Sequence, residues 1–348
     1  MRILHTSDLH LSVKANRTMD ALRTVLEIAK QEKVDALTIG GDIFNSPADA
    51  DALRPTVRSL FDDISFVTVG IPGNHDGNIF AKKFDFGFPV ITKRPFDEVA
   101  VGDVTIVAVP YSDLQPEDLF PNLKLAAASS PQRILLLHCT LDIGFDASNY
   151  GDDGARRYFP VSRAALAGLG YDYVLGGHFH GNCQIVRLSE RSSFVYPGSP
   201  VSITKGETGR RHAVLVDTGR REAKKILLPT FYYDSTVAEV VPGKEAETIE
   251  QAAAWCKDRI GDNCEAEVTV RGMTRRDEID FKKELQKVIP ATMKLNYEAK
   301  DVREVLEHPL YVRFRKAMKG AVEDSIADDV DCLVLEVMSS LIAGGEVE

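Results

Sequence analysis

The sequence predicts an α/β protein with a layered core, a small second α/β unit and a helical tail. Three observations carry that expectation. Short apolar runs at residues 2–6, 34–39, 66–69, 104–109 and 134–137 alternate with polar stretches, two of which have helical periodicity or length. Each of the runs at 2–6, 34–39, 66–69 and 134–137 stops at a cluster containing Asp, Asn or His, and in an α/β layer the working groups sit at the carboxyl ends of strands. Past Pro229 a strand, helix, strand, helix, strand order is followed by helix alone.

Residues 2–6 run into Ser7-Asp8-Leu9-His10, where Asp8 and His10 share one side of an extended backbone. Residues 18–33 place Met19, Leu22, Val25, Leu26 and Ala29 at helical spacing with charges between them. The strand at 34–39 stops at Gly40-Gly41-Asp42. A helix is expected over 48–61, with Pro55 tolerated in an early turn or marking a kink. The strand at 66–69 ends in a Gly/Pro-defined loop, Gly70 to Asp76, which must present Asn74 and His75 individually because neighbours cannot face one point from a regular strand. The run at 134–137 ends at His138, and 142–160 reads as a flexible surface flap carrying Arg156 and Arg157.

Next, the apolar run at 171–175 ends in Gly176-Gly177 and then His178-Phe179-His180. Two imidazoles at i and i+2 reach one small volume past a strand end. Taken alone, such a pair is more often two polar residues in a turn. Strands at 193–196 and 213–217 complete the first unit. The second unit has strands at 235–241, 266–271 and 293–297 and helices at 245–260 and 275–288. Pro309 suits the first position of a further helix. A last helix starts at Asp328 or Asp329, with Val330, Leu333, Val334, Val337, Met338 and Leu341 on one face.

The chain has 348 residues, long enough for about two domains. It contains no apolar run of about 18 residues, and its opening residues lead into a strand pattern instead of a signal peptide. A cytoplasmic protein without membrane contact is expected. Its 5 cysteines are scattered without a CxxC pair, which indicates neither a disulfide framework nor a structural zinc site. The net charge of -10 is uneven: residues 231–348 hold 25 acidic against 16 basic residues, and the rest is nearly balanced. No uniformly basic footprint exists, so polyanion binding would use local pairs such as Arg156-Arg157, Arg210-Arg211 or Lys82-Lys83, each of which is ordinarily a solvated surface.

Collected, the strand-end groups are Asp8, His10, Asp42, Asn74, His75, His138, His178 and His180, and they include 5 of the 8 histidines. The supply is carboxylate, imidazole and amide with no thiolate, a set that suits Mn²⁺, Fe²⁺ or Zn²⁺. It is too large for one ion but sufficient for two ions sharing a carboxylate, the arrangement that polarises a phosphoryl group and steadies a leaving oxygen. Phosphoester hydrolysis is the chemistry implied. His5 and His212 lie in strand patterns and read as packed residues, and His308 before Pro309 as a helix end.

Asp8-Leu9-His10, Gly41-Asp42, Gly73-Asn74-His75-Asp76, His138 and Gly177-His178-Phe179-His180, in that order and spacing, resemble the calcineurin-like metallophosphoesterases over roughly residues 1–220. Within that superfamily the chain most resembles the SbcD, or Mre-eleven, nuclease family, through Ser7-Asp8-Leu9-His10-Leu11, Tyr196-Pro197-Gly198-Ser199-Pro200 and the cap that follows. The resemblance implies a layered β-sandwich nuclease domain flanked by helices over 1–229, a cap over 230–300 and C-terminal helices over 301–348. It implies two divalent ions, most readily Mn²⁺, with Asp8, His10 and His180 on one, Asn74, His138 and His178 on the other, and Asp42 bridging. His75 would be the catalytic residue that binds no metal, oriented by Asp76, and Asn45, Arg156 and Arg157 would meet substrate.

The implied partners are DNA, an SbcC-type ATPase docked near Phe314, Met318, Leu333 and Val337, and a second copy packed through 48–61. One departure stands out. The family places a histidine three residues after the bridging aspartate, where this chain has Asn45, which can hydrogen-bond phosphate but cannot carry a proton. That weighs against efficient exonuclease action on duplex ends. It favours the alternative, a small-molecule or cyclic-nucleotide phosphodiesterase or phosphatase. A non-catalytic DNA-end scaffold would require a lost ligand, and none is lost.

Overall fold

A computed structural model describes residues 1–77, 79–81, 84–112, 114–127, 132–142, 159–181, 183–319 and 321–344. Arg156, Arg157, Lys82, Lys83 and most of the expected flap lie outside the described residues. The chain divides into two units, Met1–Tyr233 and Asp234–Glu348.

In the first unit the order is β1 (Arg2–Thr6), α1 (Asn16–Gln31), β2 (Ala36–Ile39), α2 (Pro47–Leu60), β3 (Val67–Gly70), β4 (Asp97–Val101), β5 (Val104–Val109), α3 (Pro116–Ala126), β6 (Gln132–His138), β7 (Thr140–Asp142), β8 (Pro160–Ser162) and α4 (Arg163–Ala167). There follow β9 (Tyr173–Gly177), β10 (Gln184–Arg187), β11 (Ser193–Tyr196), β12 (Arg211–Asp217) and β13 (Glu222–Leu228), and β14 (Tyr232–Val240) leads into the second unit. Most of the strands make two large sheets, β13-β12-β1-β2-β3 and β10-β11-β9-β6-β5-β4, and β7 and β8 pair separately as a two-stranded ribbon. Parallel pairing joins β1, β2 and β3 in the first and β5, β6, β9 and β11 in the second.

Alternation along the strands explains the sandwich. Ile3 of β1 and Ile134 and Leu136 of β6 enter the core between the sheets. Leu4 packs outward under α1 and α2, while Leu135 and Leu137 pack under α3 and α4. Successive side chains point to opposite faces, and both faces are covered, so these strands read as unbroken apolar runs. In α1 the predicted stripe is the buried one: Met19, Leu22, Val25, Leu26 and Ala29 face the core. Ser46 caps α2 by accepting from the Asp49 N–H at 3.2 Å. Pro55 lies inside α2, not in its early turn.

Several elements left no readable signal. The edge strand β13 mixes Lys224 and Lys225 with Ile226 and Leu227, the charged composition that blunts sheet edges. The Pro121 inside α3 interrupts a helical pattern.

The second unit pairs β14, β15 (Cys264–Thr274) and β16 (Lys294–Asp301) in one sheet. It is covered by α5 (Glu245–Lys257) and α6 (Glu278–Val288), around Val268, Val270, Phe281 and Leu285. The tail, α7 (Arg303–Glu307), α8 (Pro309–Met318) and α9 (Asp324–Gly344), belongs to this same unit. Val302, Val305, Tyr311 and Leu335 form its small core. His308 accepts from the Leu310 N–H at 3.3 Å and so opens α8. Among the described residues no helix is long and apolar enough to cross a membrane.

The two sheets pinch together at the carboxyl ends of β2 and β9. A Cβ added at Gly177 would collide with the Gly40 carbonyl oxygen and would stand 2.9 Å from the Ser7 Cβ. His5 is fully buried at the same place, with ring nitrogens 3.0 Å from Thr38 Oγ1 and 3.0 Å from the Gly176 carbonyl, so it bridges the sheets. Gly177→Ala is therefore expected to cost about 1–3 kcal/mol, the usual range for overpacking. Gly206→Ala, whose nearest neighbour would be 3.9 Å away, should be near neutral. Denaturant unfolding of the two variants checks the difference.

Candidate metal centre

Every candidate ligand sits on a strand end or on the turn just past one. Asp8 and His10 follow β1, Asp42 follows β2, Asn74 follows β3, His138 ends β6, and His178 and His180 follow β9. The turns are held side by side by backbone bonds: Asp8 N–H to Gly41 O at 3.0 Å and His10 N–H to Asp42 O at 3.0 Å. Of the seven non-glycine residues with positive φ among those described, four are Asp8, His10, Asp42 and His178. Such a conformation costs an L-residue roughly 1–2 kcal/mol. It re-aims a side chain that a regular strand would send elsewhere. Gly41, at φ 104, lies where a Cβ would strike His138 Nδ1.

One ligand atom from each of Asp8, His10, Asp42 and His180 can be chosen so that all lie within 4.8 Å of one another, and all four residues are buried. Donors about 2.0–2.2 Å from one ion are never more than about 4.4 Å apart, so the group needs to close by only a few tenths of an ångström to hold an ion. The His10 and His180 Nε2 atoms face each other at 3.0 Å. Asp42 Oδ2 is 3.7 Å from His10 Nε2 and 3.4 Å from His138 Nε2, and it is buried without a hydrogen-bond partner among the described residues. On its other side His138 Nε2 meets Asn74 Oδ1 at 2.9 Å. The His178 ring lies with its centroid 5.3 Å from that of His138. One carboxylate thus stands between two groups of donors, and these residues fit a pair of divalent ions.

The electrostatics agree. Burial works against an ionised Asp42, yet His138 beside it holds the carboxyl well below its usual range. Burial also opposes protonation of His138, but the Asp42 carboxylate outweighs it and raises the imidazole to about 9. Burial, with His180 adding to it, pushes His10 down to about 3. Without a cation, His138 carries the positive charge that Asp42 demands; with one, both imidazoles are required in the neutral form that ligates.

Around the ligands lies a layer that the sequence did not reveal. Glu207 is fully buried and sits 3.1 Å from His180 Nδ1, so it fixes that ring with Nε2 turned to the cluster. Glu207 is itself held by the Ile203 N–H at 2.7 Å and by Ser199 Oγ at 3.2 Å. Arg211, 2% exposed, donates to the Ser199 carbonyl at 2.9 Å and the Gly181 carbonyl at 2.8 Å, as well as to that of His180. Ser7 Oγ donates to Asp8, and the His178 N–H donates to both Asp8 oxygens at 3.1 and 3.2 Å.

Asp76 was expected to orient the His75 ring. Its carboxylate instead accepts the backbone N–H groups of Gly73 at 2.8 Å, Phe44 at 3.0 Å and Ile43 at 3.1 Å. It pins the turn that carries His75 to the one that carries Asp42, acting through backbone. The His75 N–H in turn donates to Asp42 Oδ1 at 2.8 Å. His75 is exposed, with its ring centroid 4.8 Å from that of His10. Asn45 is exposed, just before α2.

A fold of this kind with this cluster has the form of a metal-dependent hydrolase, and comparison with known proteins agrees. The family model for calcineurin-like phosphoesterases matches residues 1–182, more than half of the chain. The chain belongs to that family, which makes it a metal-dependent phosphoester hydrolase. A curated relative, the DNA double-strand break repair protein Mre11 of Aeropyrum pernix, is 26% identical over 236 residues, covering 57% of this chain and 53% of that protein. The chain thus spans about half the length of this relative. Among solved structures, a dimetal phosphatase from Danio rerio matches with TM-score 0.45 at 11% identity, covering 66% of this chain and 99% of that one. GAP50 of Plasmodium matches with TM-score 0.42 at 12% identity, covering 66% and 89%. Both likenesses are too loose to speak to function.

Asp42→Ala is expected to abolish hydrolysis and to release both metals together. Glu207→Gln should keep the fold and weaken metal binding by about 10–100-fold, the usual cost of losing a carboxylate behind a ligating histidine. Metal titration followed by calorimetry distinguishes the two. Two equivalents of metal retained by Asp42→Ala would contradict the bridging assignment.

Proposed function

We propose that this chain is a Mn²⁺-dependent phosphodiesterase acting on DNA, the nuclease subunit of a double-strand-break repair assembly. The observation that carries this reading is the combination of a complete two-metal donor set with an exposed, non-ligating His75 beside it. The similarity to the Aeropyrum pernix repair protein supports DNA as the substrate class.

When bound, the metal pair supplies Lewis acidity toward a phosphoryl oxygen and acidifies water. The protein's own groups do the rest. Asp42, buried and held by the His75 N–H, fixes the distance between the two donor groups. The Asn74 amide oxygen and the His138 imidazole hold one side, while Asp8, His10 and His180 hold the other. His75 is placed to give a proton to the leaving oxygen or to stabilise charge on the phosphoryl group. Its exposure lets an extended polymer reach it.

The proposed partners are an SbcC-type ATPase and a second copy of the chain. Leu333 and Val337, 61% and 51% exposed on α9, support an apolar docking face for the ATPase. Met318, expected to share that face, is buried, and Phe314 is partly buried against the small core of the tail. The face is therefore narrower than the sequence suggested.

A second reading, a small-molecule phosphodiesterase, is favoured by one observation: an exposed Asn45 stands where the resemblance calls for a histidine. A Mn²⁺-dependent assay with single-stranded DNA, duplex ends and a chromogenic phosphodiester tests the choice. The first reading predicts DNA cleavage that His75→Ala lowers by about 10² to 10⁴-fold while both metals stay bound. Turnover of the chromogenic ester with no cleavage of either DNA would overturn it.

Asn45→His is expected to raise cleavage of duplex ends more than turnover of the small ester, measured at equal Mn²⁺ loading. A variant that gains nothing on DNA favours the small-ester enzyme.

A further inference from the structure

Away from the metal centre, the first unit contains a cavity of about 250 Å³ among the opposite strand ends. Its lining takes in the first residues of β6 and β9, the hairpin between β10 and β11, and the turn between β12 and β13. His138, a candidate ligand, ends β6, and Gln132, in the cavity wall, begins it. Six residues at about 3.3 Å each put the two roughly 20 Å apart. We propose that this cavity is a second, non-catalytic binding site for a phosphomonoester of about mononucleotide size.

Charge carries the first part of the argument. Four guanidinium groups line the cavity, Arg133, Arg187, Arg191 and Arg221, against two carboxylates, Asp172 and Glu190. Among the lining residues this is an excess of two positive charges in a chain of net charge -10, with Asp217 and Glu222 outside the lining but close enough to act on Tyr173. The lining carboxylates do not neutralise it. Asp172 accepts the backbone N–H of Arg133 at 3.0 Å. Arg187 donates Nε to the Ser189 carbonyl at 3.0 Å and Nη2 at 2.5 Å to the Glu190 carbonyl, both of them uncharged. The nearby ion pair of the β12–β13 turn uses Arg220 and Asp217 instead of Arg221. Among the described residues none of the four guanidinium groups is ion-paired.

The second part is an unfilled donor. Arg133 Nε is buried and has no hydrogen-bond partner among the described residues. A buried charged donor without an acceptor is costly, and Arg133 is one of the residues that line the cavity, so an anion that its guanidinium reaches would lower that cost. Planar guanidinium groups match phosphate oxygens in pairs, which makes phosphate the fitting anion.

Size and floor give the rest. The cavity is much larger than an inorganic phosphate, and its deep lining includes the buried Ile134 and Tyr173, at 0% and 6% exposure. A charged rim over an apolar, aromatic floor fits a phosphate that carries an organic group.

The test is calorimetric titration of AMP into the full chain loaded with Mn²⁺, with adenosine and inorganic phosphate as comparison ligands. Expected are saturable AMP binding tighter than that of phosphate, and none for adenosine. The Arg133→Gln, Arg221→Gln double variant should bind AMP at least tenfold more weakly, with Mn²⁺ content and thermal midpoint unchanged. If that variant melts early, Arg191→Gln, on the exposed hairpin, takes its place under the same criterion. Absence of AMP binding, equal binding by variant and parent, or phosphate binding as tight as AMP would each overturn the proposal. Because the readout is binding and not turnover, it stands or falls apart from the nuclease reading.

Discussion

Burying the Asp42 carboxylate between two groups of imidazoles is the constraint to which the rest of the first unit answers. An ionised carboxylate taken out of water without compensation costs several kcal/mol. Here one oxygen receives the His75 N–H, while the other faces His10 and His138 and makes no hydrogen bond among the described residues. Such an arrangement persists only if positive charge is supplied, by a proton on His138 or by a cation. Metal binding and the stability of this corner of the fold are therefore linked: anything that binds the native cluster and not the unfolded chain stabilises it.

Backbone geometry keeps that carboxylate where it is. Left-handed conformations at Asp8, His10, Asp42 and His178 are unfavourable one by one, and they survive because each follows a strand held in a sheet and neighbouring turns bond to one another, Asp8 N–H to Gly41 O and His10 N–H to Asp42 O. The glycines are part of the same device. Gly40 and Gly177 let two sheets touch, and Gly73 lets its turn pass against Asp42. Asp76 then ties the His75 turn to the Asp42 turn, and Glu207 with Arg211 locks the His180 end. The ligands are thus positioned by strands and by a buried polar layer, which is how a site is held to the tolerance that catalysis needs.

Much of this was legible in the chain, for a definable reason. Asp8, His10, Asp42, His138, His178 and His180 each follow or end an apolar run, and residue type together with strand-end position is local information. The covered strands were readable because burial on both faces makes them continuously apolar. Glu207 was not, since it lies in a polar loop with no period and gains its meaning from His180, distant in sequence. The backbone bonds of Asp76 were unreadable for the same reason: its partners Ile43 and Phe44 are more than thirty positions away. Met318 looked available on a helical wheel and is buried by tertiary packing that periodicity alone does not encode.

The central claim is that Asp42 bridges two metal ions. Anomalous diffraction from crystals grown with Mn²⁺ tests it most directly. The account predicts two peaks about 3.5–4 Å apart, one on each side of the Asp42 carboxylate, with His180 by the first and His138 by the second. A single peak, or a pair without Asp42 between them, would contradict it.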